Sequence, residues 1–334
     1  MTEELDRVRA LFEGLLLRAA TPAELRLWSG KLRETNDFFY LFSLLVSSPE
    51  YQVRHRVRSV WPAGHFYSPV VDPASVGDYV ERAGKIQPTD IDGIDLDVEQ
   101  MSQFWLVHQQ FIRATPFTRE PAQGLRYYWR DSPYPIGDAV TYRAMINALR
   151  PSRIIEVGSG FSSACALDTL DEIGMPDARL TCIEPDPAAL RKRLYPADLG
   201  RVNIIESIVQ EVPISAFSVL KKDDILFIDS THVLKTGSDV HYTLFSILPS
   251  LKPGVVIHFH DIRWPFEYPW AFIFERNYSW NEAYALRAFL MYNKRFSVIF
   301  YNSLFAAHRQ ALARETFPDF LVNAGSSIWV RVNR

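Results

Sequence analysis

Apolar positions recur at three- and four-residue intervals near the start of the chain and crowd into short unbroken runs in its later part. The two textures predict different architectures. Leu5, Val8, Leu11, Phe12, Leu15 and Leu16 share one helical face. Thr21-Pro22-Ala23-Glu24 reads as a capping box with Pro at the first helical position, opening a second helix whose apolar side is Leu25, Leu27, Trp28 and Leu32. A third helix is expected from Asp37 to about Val46, stopped by Ser48-Pro49-Glu50-Tyr51. From Val53 to about Pro135 periodicity fades and Pro and aromatic residues crowd, as in Trp61-Pro62, Gly64-His65-Phe66-Tyr67 and Tyr127-Tyr128-Trp129. Such a stretch predicts a lid and substrate-facing segment, with one helix near Val98 to Arg113.

After Ile136 short apolar runs alternate with helical patterns. The runs are Arg153 to Val157, Leu180 to Glu184, Val202 to Glu206, Ile225 to Asp229, Val255 to His260, Phe296 to Tyr301 and Ser327 to Val332. Helical stretches are expected at Asp138 to Leu149, Ser162 to Ile173, Pro187 to Leu194, Val240 to Leu251 and Trp280 to Tyr292. This alternation predicts an α/β, doubly wound, mainly parallel sheet. The chain therefore divides into a helical unit (1–56), a loop-rich lid segment (57–135) and an α/β domain (136–334).

Composition narrows the partners. Thirty-six Lys and Arg against 39 Asp and Glu give a net charge of −3 over 334 residues, which is no footprint for a nucleic-acid or polybasic membrane binder, so a charged partner needs a local patch. Cys165 and Cys182 are too few for a disulfide framework or a Cys-based zinc site and read as buried apolar residues of a reducing compartment. The start, Met1-Thr2-Glu3-Glu4, is acidic where a signal peptide is basic, and the longest apolar run, Phe38 to Val46, is too short to span a bilayer. A cytoplasmic chain without a membrane anchor is expected; its oligomeric state is left open.

Candidate chemistry begins at Arg153-Ile154-Ile155-Glu156-Val157-Gly158-Ser159-Gly160-Phe161-Ser162-Ser163: a strand, an acid, a glycine turn, then Ser162 or Ser163 as helix N-cap. The first such turn of a doubly wound sheet presents backbone N–H groups to a ligand. Ser163 stands where the dinucleotide fingerprint has its third glycine, and Glu156 suits a cationic ligand better than a pyrophosphate. Glu184 ends the next strand 24 residues beyond Gly160, where a carboxylate accepts ribose hydroxyls. Two further strands end in acids, Ile228-Asp229-Ser230-Thr231-His232 and His258-Phe259-His260-Asp261, at the sheet edge where open α/β folds bind ligands. His258 reads best as a core histidine, whereas His232, His260 and Asp261 read as functional.

Acid, glycine turn and second acid together resemble the Rossmann-like, class I S-adenosylmethionine-dependent methyltransferases from Asp138 to Val332. The resemblance implies a seven-stranded, mostly parallel sheet closed by an antiparallel terminal hairpin. It implies S-adenosyl-L-methionine as cofactor, with Glu156, Gly158 and Gly160 at its methionyl part, Glu184 at the ribose, and Ser207 to Gln210 near the adenine; Ser159, Ser162 and Asp229 complete the set. The acids ending strands four and five also resemble those of metal-dependent O-methyltransferases of the catechol and macrocin kind. That likeness implies a divalent cation, magnesium, on Asp229, Asp261 and His260, although Ile262 stands where an amide ligand is frequent. Without a metal, His232 or His260, with Asp229, would act as base. The N-terminal pattern, ending in Thr-Pro-Ala-Glu-Leu and Ser-Ser-Pro-Glu-Tyr, resembles a small helical domain of unknown function found beside enzymes of bacterial glycan metabolism. With the ring-rich stretch Trp264 to Trp270 this suggests O-methylation of a sugar or glycan-like acceptor. The alternatives are a degenerate binding scaffold and a hydroxylase-like relative.

Overall fold

A computed structural model describes residues 2–35, 37–54, 61–86 and 88–334. Contacts divide the chain into two compact units, Met1–Ser75 and Val76–Arg334. In the first, the helices Thr2–Leu16, Pro22–Thr35, Phe38–Val46 and Pro49–Arg54 surround a core of Val8, Leu11, Phe12, Leu16, Leu32, Leu41 and Leu45. The expected capping box forms: Glu24 N–H donates to Thr21 Oγ1 at 3.3 Å and Thr21 N–H to Glu24 Oε2 at 2.8 Å. Arg18 clamps Glu24 and Glu50 together at 2.6 and 2.5 Å.

The second unit is built on β1 (Arg153–Val157), β2 (Arg179–Ile183), β3 (Val202–Ile205), β4 (Ile225–Ile228), β5 (Val256–Phe259), β6 (Phe296–Tyr301) and β7 (Ile328–Val332). They form one sheet in the order β3-β2-β1-β4-β5-β7-β6, parallel from β3 to β5, with β7 antiparallel to both its neighbours. Every residue of β4 and β5 is buried, as continuous apolar runs covered on both faces require. The strand order reverses between β1 and β4, and that reversal opens a crevice at their carboxyl ends.

The stretch expected as a loop-rich lid differs in two ways. It contains a helix, Pro73–Lys85, that its poor periodicity concealed, and the helix near Val98 to Arg113 breaks into Val98–Val107 and Gln109–Arg113 at His108. Its last part is a fixed wall of the domain. Tyr127 and Tyr134 are buried, and the Arg126 guanidinium is enclosed by Asp168, Asp171 and Asp198 at 2.7–2.9 Å. Among the described residues no helix is long and apolar enough to cross a membrane.

Candidate active site

At the reversal the glycine turn is dictated by backbone approach. Gly158 has φ +81°, and a Cβ there would lie 1.8 Å from the Asp229 carbonyl oxygen, so only glycine lets β1 and β4 come this close. Its N–H donates to Ile183 O at 3.0 Å, and Asp229 N–H to Val157 O at 2.9 Å, which locks the ends of three strands together. Beside this lock lies a cavity of about 290 Å³, walled by Gly158, Glu184, Gln210, Asp229 and Asp239 among others. Glu184 is held on its wall by two backbone donors, Ser159 N–H at 3.1 Å and Asp186 N–H at 3.0 Å. The buried Ser159 hydroxyl has no partner. Asp239 fixes the loop after β4 by accepting from Thr231 N–H and Oγ1 at 2.7 and 2.6 Å.

Behind Asp229 two imidazoles and two carboxylates converge. His232 Nε2 lies 3.5 Å from Asp229 Oδ1 and 3.7 Å from Asp261 Oδ2, and His260 Nδ1 lies 3.3 and 3.7 Å from the same two atoms. Each ring is aimed by a buried carboxylate on its far side: Glu282 Oε2 meets His232 Nδ1 at 2.8 Å, and Asp138 Oδ2 meets His260 Nε2 at 3.2 Å. Asp138 is itself fixed by Ser327 N–H and Oγ and by Asn302 Nδ2. His232 and Asp261 have φ of 61° and 55°, a left-handed backbone of the kind that collects at functional sites. Burial alone would lower both histidines, but the surrounding carboxylates outweigh it: His232 rises to about 10 and His260 well above the usual imidazole range. Burial would conversely raise Asp229, and the two imidazoles hold it far below the usual carboxylate range.

The chain is similar to several known proteins over this region. Residues 155–262 match the family model described as a methyltransferase domain. An uncharacterized protein of Archaeoglobus fulgidus is 29% identical over 176 residues, covering 51% of this chain and 78% of that one. Similar solved structures include the O-methyltransferase TomG of Streptomyces achromogenes, involved in tomaymycin synthesis and in complex with SAM, at 14% identity over 72% of this chain and 92% of that one with a TM-score of 0.41. The SAH-bound methyltransferase PaMTH1 of Podospora anserina is 18% identical, with 83% and 100% covered and a TM-score of 0.39. CmcI with Mg and SAM is 16% identical, with 63% and 78% covered and a TM-score of 0.38.

Within the α/β unit, Gly158, Glu184, Gln210 and Asp229 share the cavity wall, and His232, His260 and Asp261 gather behind it. Glu156 is completely buried beneath the turn, accepting from Ser163 Oγ and, at 3.3 Å, from Tyr142 OH. Neither serine is the N-cap. The helix Phe161–Glu172 starts one residue earlier on Gly160, whose N–H donates to Ser163 Oγ at 3.2 Å, and Ser162 is buried in its first turn. His258 does sit in the core, stacked 3.9 Å from Phe227, but both its ring nitrogens lack partners.

The expected metal triad of Asp229, Asp261 and His260 also needs correction. Among the described residues no group of three or more His, Cys, Asp or Glu is arranged to hold a metal ion. The two carboxylates instead face the imidazoles of His232 and His260 at 3.3–3.7 Å. Three residues escaped sequence reasoning as parts of the site. Asp138 and Asp239 lie in helix first turns far from the strand ends, and Glu282 looked like an exposed charge. The aromatic loop is mostly cover, with Trp264, Phe266 and Tyr268 buried; Trp280 alone among the rings singled out reaches the cluster, 4.3 Å from His232. Tyr128 packs edge-on against Phe161 at the turn, 5.3 Å away. A larger groove of about 560 Å³ at Tyr79, Arg82 and Arg287 mixes both charge signs, and its Glu267 is taken up by Tyr79 and Tyr284.

Proposed function

We propose that this chain is an S-adenosylmethionine-dependent O-methyltransferase acting on a hydroxyl of a small-molecule acceptor, a sugar or glycan unit being the class that the rings beside the cluster suit. The observation that carries the reading is Asp229, which walls the cavity on one side and faces two imidazoles on the other. The cavity fits the cofactor: the glycine turn leaves open space at Gly160, the Ser159 hydroxyl is unspent, and each Glu184 oxygen retains a lone pair for a ribose hydroxyl. When bound, S-adenosylmethionine supplies an electrophilic methyl group on a sulfonium.

The residues supply the rest. Glu282 holds Nδ1 of His232 and so turns Nε2 toward Asp229 and Asp261, where an acceptor hydroxyl meets a base. At rest His232 is a cation. Any positive charge entering the cavity beside Asp229 shares the carboxylate that raises the imidazole, and thereby moves His232 toward its neutral, proton-accepting form. Trp280, with Tyr278 stacked on it at 4.3 Å, gives a sugar ring an apolar face to lie on. The mechanism works by positioning and proton removal.

Calorimetric titration with S-adenosylmethionine tests the reading. Saturable binding is expected, weakened roughly tenfold to a hundredfold in Glu184→Ala, which loses hydrogen bonds to a charged acceptor. Absence of binding by the unaltered chain would overturn the methyltransferase reading.

A further inference from the structure

A third opening lies next to the cluster and differs in character from both others. It encloses about 470 Å³ between the loop after β5, the helices Asn302–His308 and Gln310–Thr316, and the turn before β7. Arg263, Arg314, Trp264, Ser303, Gln310 and Asn323 supply its polar wall, and among the described residues no carboxylate lines it. Some guanidiniums elsewhere on this surface find acids, as Arg331 does with Asp223 at 2.8 Å and Arg130 with Glu120 at 2.8 Å. Arg263 and Arg314 have no such partner among the described residues, and both are exposed. Trp264 is anchored by its backbone N–H on Ser303 Oγ at 2.8 Å, while its buried indole N–H is without an acceptor. Two guanidiniums without an acid partner and an indole N–H without an acceptor make a wall suited to an oxyanion, and guanidinium forks match phosphate oxygens in particular.

The groove is joined to the proposed methyl-acceptor position through two short connections. Arg263 lies two residues beyond Asp261. Gly325 of the groove wall precedes Ser326, whose hydroxyl donates to Asp261 Oδ1 at 2.9 Å. Gly325 cannot be replaced cheaply, since it has φ +77° and a Cβ there would lie 2.1 Å from the Asp138 carboxyl group that aims His260. The same turn thus shapes the groove and the cluster.

We infer that this groove binds a phosphate group carried by the acceptor, so that the substrate is a phosphorylated sugar whose free hydroxyl reaches His232 while its phosphate rests on Arg263 and Arg314. The inference rests on the methyltransferase reading for the acceptor's role, and on the groove alone for the anion. It also locates the local patch that a chain of net charge −3 needs in order to meet an anionic partner.

The first test is calorimetric titration of the full chain with inorganic pyrophosphate. Saturable binding is expected, weakened roughly tenfold or more in Arg263→Gln/Arg314→Gln, while the double variant keeps its circular dichroism spectrum and its affinity for S-adenosylmethionine. No saturable heat up to millimolar pyrophosphate, or equal binding by the double variant, overturns the site. The second test compares S-adenosylhomocysteine release with sugar 1-phosphates and with the same sugars unphosphorylated. A preference of roughly tenfold or more in kcat/KM for the phosphorylated series, abolished in the double variant, is expected, and equal use of both series overturns the acceptor assignment. A chain that binds pyrophosphate but never S-adenosylmethionine overturns the methyltransferase reading and upholds the groove.

Discussion

The domain buries two clusters of charge, and they are built on opposite plans. Around Arg126, every guanidinium nitrogen is committed: Nε and Nη2 to Asp198 at 2.8 and 2.7 Å, and Nη1 to Asp168 and Asp171 at 2.8 and 2.9 Å. Asp168 also accepts from the backbone N–H groups of Arg126 and Tyr127, and Arg201 braces Asp171 and Asp198. The Tyr195 ring covers the guanidinium from 4.2 Å. Around His232 and His260 the facing atoms stand 3.3–3.7 Å apart, His260 Nδ1 and Glu282 Oε1 have no hydrogen-bond partner, and Asp229 opens onto a cavity. A buried charge network that is fully satisfied can only hold; one that leaves donors and acceptors unspent at a cavity can exchange protons with what enters.

The difference between the plans is broken most directly at His232. His232→Gln keeps a polar side chain of similar reach but cannot cycle a proton. Methyl transfer is expected to fall by roughly 10²–10⁴ in kcat, with S-adenosylmethionine affinity and thermal midpoint little changed. If the midpoint fell and activity merely followed the folded fraction, His232 would belong with the structural cluster. The reverse signature is expected at Arg126. Arg126→Ala strands the buried Asp168 and Asp198 carboxylates and should cost about 3–5 kcal/mol of stability by denaturant unfolding. A loss under about 1 kcal/mol would mean that the closed network contributes little beyond geometry.

Much of this arrangement was legible in the chain, and the gaps have physical causes. All seven strands fall within a residue or so of their expected ends, because each is a short apolar run set between turn or helix signals. The acids ending β2 and β4 and the His260-Asp261 pair after β5 were found because the carboxyl edge of such a sheet is set by chain order alone. Asp138 and Glu282 were not assigned to the site because they reach it from helices, and helical direction depends on packing that no local pattern encodes. The lid expectation failed at Arg126 to Tyr134 for the same reason: only the three-dimensional neighbours Asp168 and Asp198 show that the segment is pinned. The metal expectation followed from counting acids at strand ends. No strand-end pattern shows that both imidazoles stand 3.3–3.7 Å from those acids, each held on its far side by Glu282 or Asp138.

Glu156 adds a third plan to the comparison, with a smaller expected effect. It is buried with no cation beside it, so its charge can be removed only by a proton. Burial pushes its carboxyl group up, the hydrogen bonds from Ser163 and Tyr142 recover only part of that, and it titrates at about 8. Because the folded value lies above the unfolded one, the stability this group contributes is fully present below about pH 4.5 and is lost as pH rises through about 8. Glu156→Gln cannot ionise and should flatten that decline, by on the order of 2–3 kcal/mol between pH 5 and pH 8, with the urea midpoint measured at each pH for both chains. Parallel pH profiles would show that Glu156 is ionised throughout, with a cationic neighbour in solution. It would then resemble Asp229 and the cavity acids, and the boundary between the acid that supports the glycine turn and those that face a ligand would have to be redrawn.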